Sequence, residues 1–399
     1  MLPDKRAELV HQLHGCPTRF VVVATGGGAA ALGDLTGQAG ASRTLLAGLV
    51  PYAGKAIDAF LGGKPDQYCS EPTARAMACR AWQRARQYCD GEPAAGVACT
   101  ASLASDRLKR GDHRVHVAAH TAERTASWSL TLGKGRRTRA QEDRLAADWL
   151  LLALARAAGC DAASTAVTML PGESIIEQSC AAEPAWRRVA IQELAAAQVA
   201  EEGRTTLTEI APGEAAESSG GDEPARLLFP GSFNPPHVGH LRMAEIAAER
   251  CGRPAELEIS LDNADKPPVD YLDLSQRLVA LAGRPVWLTT AATFPQKAEL
   301  FPGCRFIVGA DTIDRIGQAR FYGGEGSRDA AIGRIRSLGC RFLVFARVLE
   351  SGQENPAPAT LATLALPPAL RDLCEEAPPE VYLENVSSTQ LRRERQPEA

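Results

Sequence analysis

The chain has 399 residues, 45% hydrophobic and 23% charged, with 44 basic side chains against 48 acidic ones. That length allows two or three domains, and the composition is that of a globular protein with a sizeable core. A net charge of −4 argues against a nucleic-acid coat or a membrane-surface binder, and no apolar run reaches the length of a bilayer span.

Eleven cysteines are scattered singly with no Cys-x-x-Cys pair, so neither a zinc site nor a disulfide framework is expected. The opening Met1-Leu-Pro-Asp-Lys-Arg6 leads into no long apolar segment. The expected location is therefore the cytoplasm, with most thiols packed as small hydrophobes.

Taken in order, Phe20–Ala24 reads as a strand followed at once by Thr25-Gly-Gly-Gly28, a turn that either cradles a phosphate or is simply flexible. Ser42–Leu49 and Thr73–Cys89 read as helices, and Gly96–Thr100, Arg114–Ala119 and Ser127–Leu132 as strands. Arg139–Ala158 is a long helix with Leu145, Trp149, Leu152 and Arg156 along one face. Strands occur both singly between helices and as a neighbouring pair, so this part is expected to be an α/β unit with a mixed sheet. Residues 161–200 mix polar loop with a helix over Trp186–Val199. Acid, Ser and Gly dominate 201–225, the expected linker.

From 226 to 399 strands and helices alternate. Strands are expected at Leu227–Phe229, Leu257–Leu261, Val286–Thr289, Arg305–Val308, Arg341–Ala346 and Val381–Leu383. Helices are expected from Val238 or Gly239, over Leu274–Leu281, before Leu338, over Ala359–Glu375 and from Ser388. This alternation predicts a doubly wound parallel sheet, in which ligands bind beyond the carboxyl ends of the strands. Polar residues do follow the strands: His237 and His240, then Asp262–Lys266, then Gly309 and Asp311, then Arg347, then Ser388, Thr389 and Arg392.

The first of these stretches, Gly231-Ser-Phe-Asn-Pro-Pro-His-Val-Gly-His240, is the most informative. Two histidines three residues apart fall at a helix N-terminus, where unpaired N–H groups and the positive end of the helix dipole attract anions. Val386-Ser-Ser-Thr-Gln-Leu-Arg392 repeats the logic, with Ser388 and Thr389 hydroxyls before a helix and Arg392 one turn in. Together these stretches closely resemble the signatures of the HxGH nucleotidyltransferase superfamily, nearest to its nicotinate- and nicotinamide-nucleotide adenylyltransferases. Pro230 stands where that family usually has Gly.

The resemblance implies a Rossmann-like domain that transfers AMP from ATP to a mononucleotide phosphate and releases pyrophosphate. His240 and His237 would act on the α-phosphate, while Gly231, Ser232, Phe233, Lys266, Gly309 and Asp311 would contact the nucleotide. Ser388, Thr389 and Arg392 would hold its β/γ end. Mg²⁺ would enter with ATP, with no protein metal ligands, and the partners would be ATP and a mononucleotide, with self-association left open. Rival readings keep the fold but use CTP or a phosphopantetheine acceptor, or make the domain a non-catalytic nucleotide-binding regulator.

Thr25-Gly-Gly, Gly40-Ala-Ser-Arg-Thr44, Val50-Pro-Tyr-Ala-Gly-Lys55, Cys69-Ser-Glu-Pro-Thr-Ala-Arg-Ala-Met77 and Gly96-Val-Ala-Cys-Thr100 resemble the CinA C-terminal domain, a nicotinamide-nucleotide amidohydrolase family. The resemblance covers residues 1–200 and implies Ser42 as nucleophile or water activator, with Tyr52 and Lys55 nearby. Thr100 would contact substrate, and Arg137 or Arg139 would hold its phosphate. Ser42 fits a helix N-cap equally well. The family's Ala-Glu-Ser-Cys is replaced by Val22-Val-Ala-Thr25, and its glycine-containing loop by Ala101-Ser-Leu-Ala-Ser-Asp106.

Overall fold

The computed structural model describes residues 1–89, 91, 93–106, 111–160, 167–217, 224–348 and 358–377. It forms two compact units, one of Met1–Ala182 with Asn263–Leu274, the other of Glu183–Asp262 with the chain from Ser275 onward.

The first unit holds strands β1 (Arg19–Thr25), β2 (Leu45–Leu49), β3 (Ala94–Ser102), β4 (His113–Thr121), β5 (Arg124–Leu132) and β6 (Ser174–Ala181). They make a mixed sheet in the order β2-β1-β3-β4-β5-β6, parallel among the first three and antiparallel thereafter. Its helices are α1 (Pro3–Gly15), α2 (Ala30–Thr36), α3 (Ala41–Thr44), α4 (Gly54–Leu61), α5 (Glu71–Tyr88) and α6 (Arg139–Ala158).

Alternation along β1 divides the core. Phe20, Val22 and Ala24 pack with residues of α1, α2 and α6, while Val21 and Val23 pack with α4 and α5. Small residues on α5 (Ala74, Ala78, Ala81, Ala85) let it approach the sheet closely. A Cβ at Gly96 would lie 2.1 Å from the Ala78 carbonyl, so this strand position admits no side chain. All eleven thiols are free.

The expected helix over Ser42–Leu49 is instead one turn, Ala41–Thr44, followed by strand β2. Gly40 enters that turn at φ 104°, and pairing of Leu45–Leu49 alongside β1 outweighs helical propensity.

Residues 263–274 belong to this unit although they lie far along the chain. Val269, Asp270, Tyr271 and Leu274 are buried. The Tyr271 hydroxyl donates to the Ala122 carbonyl at 3.0 Å, and its ring lies 4.8 Å from that of His120. The Tyr271 N–H donates to the Thr125 hydroxyl oxygen, leaving that hydroxyl to donate to His120 Nδ1 at 2.7 Å. Burial lowers the His120 pKa to about 3, so the ring stays neutral. Asp270 accepts from Arg75 at 2.9 Å and from the N–H groups of Leu272 and Asp273, capping the next helix, α9 (Tyr271–Ala280). Gly63 makes room for the Asp265 carbonyl, which a Cβ there would meet at 2.5 Å.

The second unit adds α7 (Pro184–Ala190), β7 (Ala196–Ala200), β8 (Thr205–Ile210), β9 (Leu227–Pro230), α8 (Val238–Cys251), β10 (Ala255–Ser260), β11 (Val286–Thr289), α10 (Phe294–Leu300), β12 (Arg305–Gly309), α11 (Ala310–Gly317), α12 (Glu325–Ser337) and β13 (Arg341–Phe345). Then come the two-residue strands β14 (Arg347–Val348) and β15 (Pro358–Ala359), α13 (Pro368–Arg371) and β16 (Cys374–Glu376). The sheet order is β16-β13-β12-β9-β10-β11-β7-β8. Its first six strands are parallel, as expected of a doubly wound sheet, and β7 and β8 extend it antiparallel to β11.

Several expectations are corrected here. Trp186–Val199 splits into α7 and β7, and residues 205–210, inside the stretch read as linker, pair with β7 as β8. Sheet pairing captured a segment whose polar composition suggested none. Of Ala359–Glu375 only Pro368–Arg371 is helical, because Pro367 and Pro368 start a helix late and Cys374 enters β16. Val381–Leu383 and the final helix lie outside the described residues.

Replacing Tyr271 by Ala should remove about 3–5 kcal/mol from the stability of the first unit, the usual effect of truncating a buried aromatic. Urea unfolding of the full chain measures it; a loss under about 1 kcal/mol would show that the 263–274 segment is not integral to that core.

Candidate functional site

The second sheet reverses direction at β9. The chain runs from β9 to β10 and β11 on one side, then returns to β12, on β9's other flank, and on to β13. This switch point is where doubly wound sheets bind ligands. The register Arg305↔Leu227 and Phe306↔Leu228, carried forward, brings Gly309 level with Gly231. The structure thus gathers Gly231, Ser232, His237, His240, Gly309 and Asp311 at the carboxyl ends of adjacent strands.

The turn between β9 and α8 is shaped by packing. Phe233 stands at φ 45° and its side chain is buried, edge-on to Phe229 and to His240 with ring centroids 5.5 and 5.1 Å away. A Cβ on Gly231 would meet the Phe233 ring at 2.5 Å. The Phe233 side chain packs under the histidine, which leaves only its backbone for a nucleotide contact, and Gly231 accommodates that ring. The Gly231 N–H donates to the Glu258 carbonyl at 2.9 Å, and Arg277 donates to the Ser232 carbonyl at 2.9 Å, so both sides of the turn are tied.

His237, extended at φ −139°, is the N-cap of α8. Its N–H donates to His240 Nδ1 at 3.2 Å, and the two rings lie 3.7 Å apart at 33°. A backbone N–H always donates, so His240 Nδ1 must be an acceptor and the ring proton sits on Nε2. His240 therefore offers an Nε2–H donor even when neutral. Beside it lie the N–H groups of Val238 and Gly239, the first two of α8, while the His240 N–H donates to the His237 carbonyl at 2.9 Å. Met243, Ala244, Ile246 and Ala247 are buried and hold the helix in place.

Beneath the turn lies an ion pair not anticipated from sequence. Lys297 Nζ contacts both Glu258 carboxylate oxygens at 2.6 and 2.7 Å, and the Thr289 hydroxyl donates to the same group at 2.6 Å. All three are buried. The signal was legible: Glu258 interrupts an apolar strand, and a buried carboxylate requires a partner.

Lys266 is exposed and lies in the 263–274 segment, which belongs to the first unit. Ser388, Thr389 and Arg392 lie outside the described residues. Among the described residues no cluster of His, Cys, Asp and Glu is arranged to hold a metal ion, and no helix is long and apolar enough to cross a membrane.

In the first unit, Thr25 and Thr100 are paired at the carboxyl ends of β1 and β3, and Tyr52 and Lys55 follow β2 at that same end. Ser42 precedes β2 and so lies at the opposite, amino end, where its neighbour Thr44 bonds His14 at 3.0 Å. It is no N-cap either, since Gly40 holds that position. The single chain does not bring Ser42 together with Tyr52, Lys55 and Thr100.

Thr100 donates to the Tyr68 carbonyl at 2.8 Å. Arg137 is paired with Glu173 and bonds the Thr168 carbonyl. Arg139 ties the carbonyls of Gly26 and Ala104 at 2.7 and 3.1 Å, Asp143 accepts from Gly28 N–H at 2.9 Å, and Glu142 accepts from Ala104 N–H at 2.6 Å. The glycine loop is thus stitched to α6 and pressed on Ala101, whose carbonyl would lie 1.9 Å from a Cβ at Gly26. Burial pushes the neighbouring Cys99 thiol up, so it is no nucleophile.

Gly231→Ala should destabilise the second unit by about 1–3 kcal/mol through overpacking against Phe233. Chemical denaturation measures it, and an unchanged midpoint would mean the Phe233 ring does not occupy that space.

Comparison with known proteins gives one family. Residues 228–283 match the family described as Cytidylyltransferase-like. No curated protein matches the chain. Among solved structures, the competence/damage inducible protein CihA from Agrobacterium tumefaciens is 20% identical, aligning over 39% of this chain and 98% of its own, with a TM-score of 0.32. A CinA superfamily protein from Escherichia coli is 18% identical over 38% of this chain and 87% of its own, also at 0.32. The family match runs from β9 through the histidine turn, α8 and β10 into α9, so the chain carries a cytidylyltransferase-like, nucleotidyltransferase-type segment.

Proposed function

We propose that the second unit transfers a nucleotidyl group, AMP from ATP, to the phosphate of a mononucleotide, with a pyridine mononucleotide as the acceptor. The observation that carries this reading is the His240 Nε2–H donor, fixed by the His237 N–H and set beside the N-terminus of α8 at the sheet's switch point.

A phosphate monoester is already nucleophilic at neutral pH, so in-line attack on the α-phosphorus requires no general base. The protein has to hold two anions together and stabilise the charge that grows on the transferring and leaving oxygens. His240 would donate from Nε2 to an α-phosphate oxygen, and the Val238 and Gly239 amides at the start of α8 would add donors without reorganising. His237 would donate to the same phosphates. Ser388, Thr389 and Arg392 are assigned to the β/γ end on the sequence resemblance. Mg²⁺ would enter with the nucleotide and would supply charge neutralisation on the triphosphate.

The pyridine acceptor rests on the resemblance of both halves to families that handle nicotinamide nucleotides. Transfer from CTP is the second reading, favoured by the description of the matching family. The amidohydrolase reading of the first unit gains no support from geometry, because Ser42 stands apart from Tyr52, Lys55 and Thr100. A nucleotide-binding regulator would share the site but not the turnover.

Pyrophosphate release, assayed with ATP or CTP against nicotinate mononucleotide, nicotinamide mononucleotide and phosphopantetheine, should be highest for ATP with a pyridine nucleotide. His240→Ala should lower that turnover by about two to three orders of magnitude with the fold retained, the effect of losing one donor worth ~2.7–4 kcal/mol to the transition state. Undiminished turnover would remove His240 from the reaction, and no turnover with any pair would favour the regulator.

A further inference from the structure

The first unit contains a groove of about 390 Å³ lined by Leu49, Val50 and Pro51 at the carboxyl end of β2, by Ala56, Ala59 and Phe60 of α4, and by Arg84 of α5. Six of the seven lining residues are apolar. The Arg84 guanidinium carbon lies over the Phe60 ring, 4.5 Å from its centroid. Among the described residues no carboxylate pairs with it. Val50, 46% exposed, leaves apolar surface open to solvent on the same wall.

We propose that this groove binds a small amphipathic monoanion, an aromatic or branched-alkyl body bearing one carboxylate. Small-ligand sites are commonly apolar clefts of roughly 300–1,000 Å³ with a few polar groups that fix orientation, and this groove fits that description with one polar group. The cation–π contact with Phe60 holds the guanidinium at the groove, where its N–H fork can grip a carboxylate in two parallel bonds. A dianionic phosphate would need further donors, and no other lining side chain has one. The groove also opens past the carboxyl end of a parallel strand, the end at which α/β sheets receive ligands. Tyr52 and Lys55 follow the same strand but do not line it. The site is independent of the transfer chemistry of the second unit.

Saturation-transfer NMR on the full chain tests this with three probes: 3-phenylpropionate, its neutral amide and inorganic phosphate. The carboxylate should bind saturably with a dissociation constant on the order of 1 mM, and the amide and phosphate about tenfold or more weakly. Arg84→Gln should weaken the carboxylate about tenfold without affecting the amide, and Ala59→Trp, which fills the groove, should abolish both. Absence of saturable carboxylate binding to the native chain would overturn the proposal, as would equal binding by Arg84→Gln or by Ala59→Trp.

Discussion

The hydrogen bond from the His237 N–H to His240 Nδ1 is the constraint on which the proposed chemistry depends. It decides which ring nitrogen is left to meet an anion, and it does so without requiring the ring to be protonated. Supporting contacts converge on it. Phe233 and Phe229 wall the His240 ring, Gly231 leaves space for Phe233, and the Glu258 carbonyl and Arg277 hold the turn from either side. A donor prepositioned this way needs no reorganisation as negative charge develops, which is where most electrostatic catalysis originates.

Behind the turn, the sheet carries charge where a simpler design would be apolar. Glu258 is satisfied by Lys297 and Thr289, and Glu256 by Arg226, Trp287 and Gln198. Burying Glu258 costs desolvation that its pairing with Lys297 and Thr289 offsets, while Glu256 is partly exposed. The first unit shows the same economy in a different form. Twelve residues, 263–274, leave the second unit's sequence to complete its core, so the chain crosses between the units three times.

Much of this was legible in the sequence, and the failures have physical causes. The strands of the parallel core, the long helix over Arg139–Ala158 and the histidine turn announce themselves through apolar runs, periodicity and paired prolines. Strand β2 was hidden because Leu45–Leu49 has no alternation and takes its conformation from pairing with β1. Strand β8 was hidden by polar composition, since an edge strand need bury little. The packing of the 263–274 segment was hidden because sequence order suggests adjacency, whereas Tyr271 and Asp270 find hydrogen-bond partners in residues 75–125. Ser42 was grouped with Tyr52 by the family resemblance, yet a strand between them places them at opposite ends of the sheet. Arg277 gave no signal at all, being an ordinary basic residue in a helix's last turn.

The most direct measurement is long-range ¹H–¹⁵N NMR of the histidine imidazoles, which reports the protonation of each ring nitrogen. In the free protein His240 should carry its proton on Nε2, with Nδ1 at the shift of an unprotonated acceptor. Addition of Mg-ATP should move the Nε2 resonance and leave that of buried His120 in place. An Nδ1–H tautomer for His240, or resonances indifferent to nucleotide, would contradict the proposed role of His240.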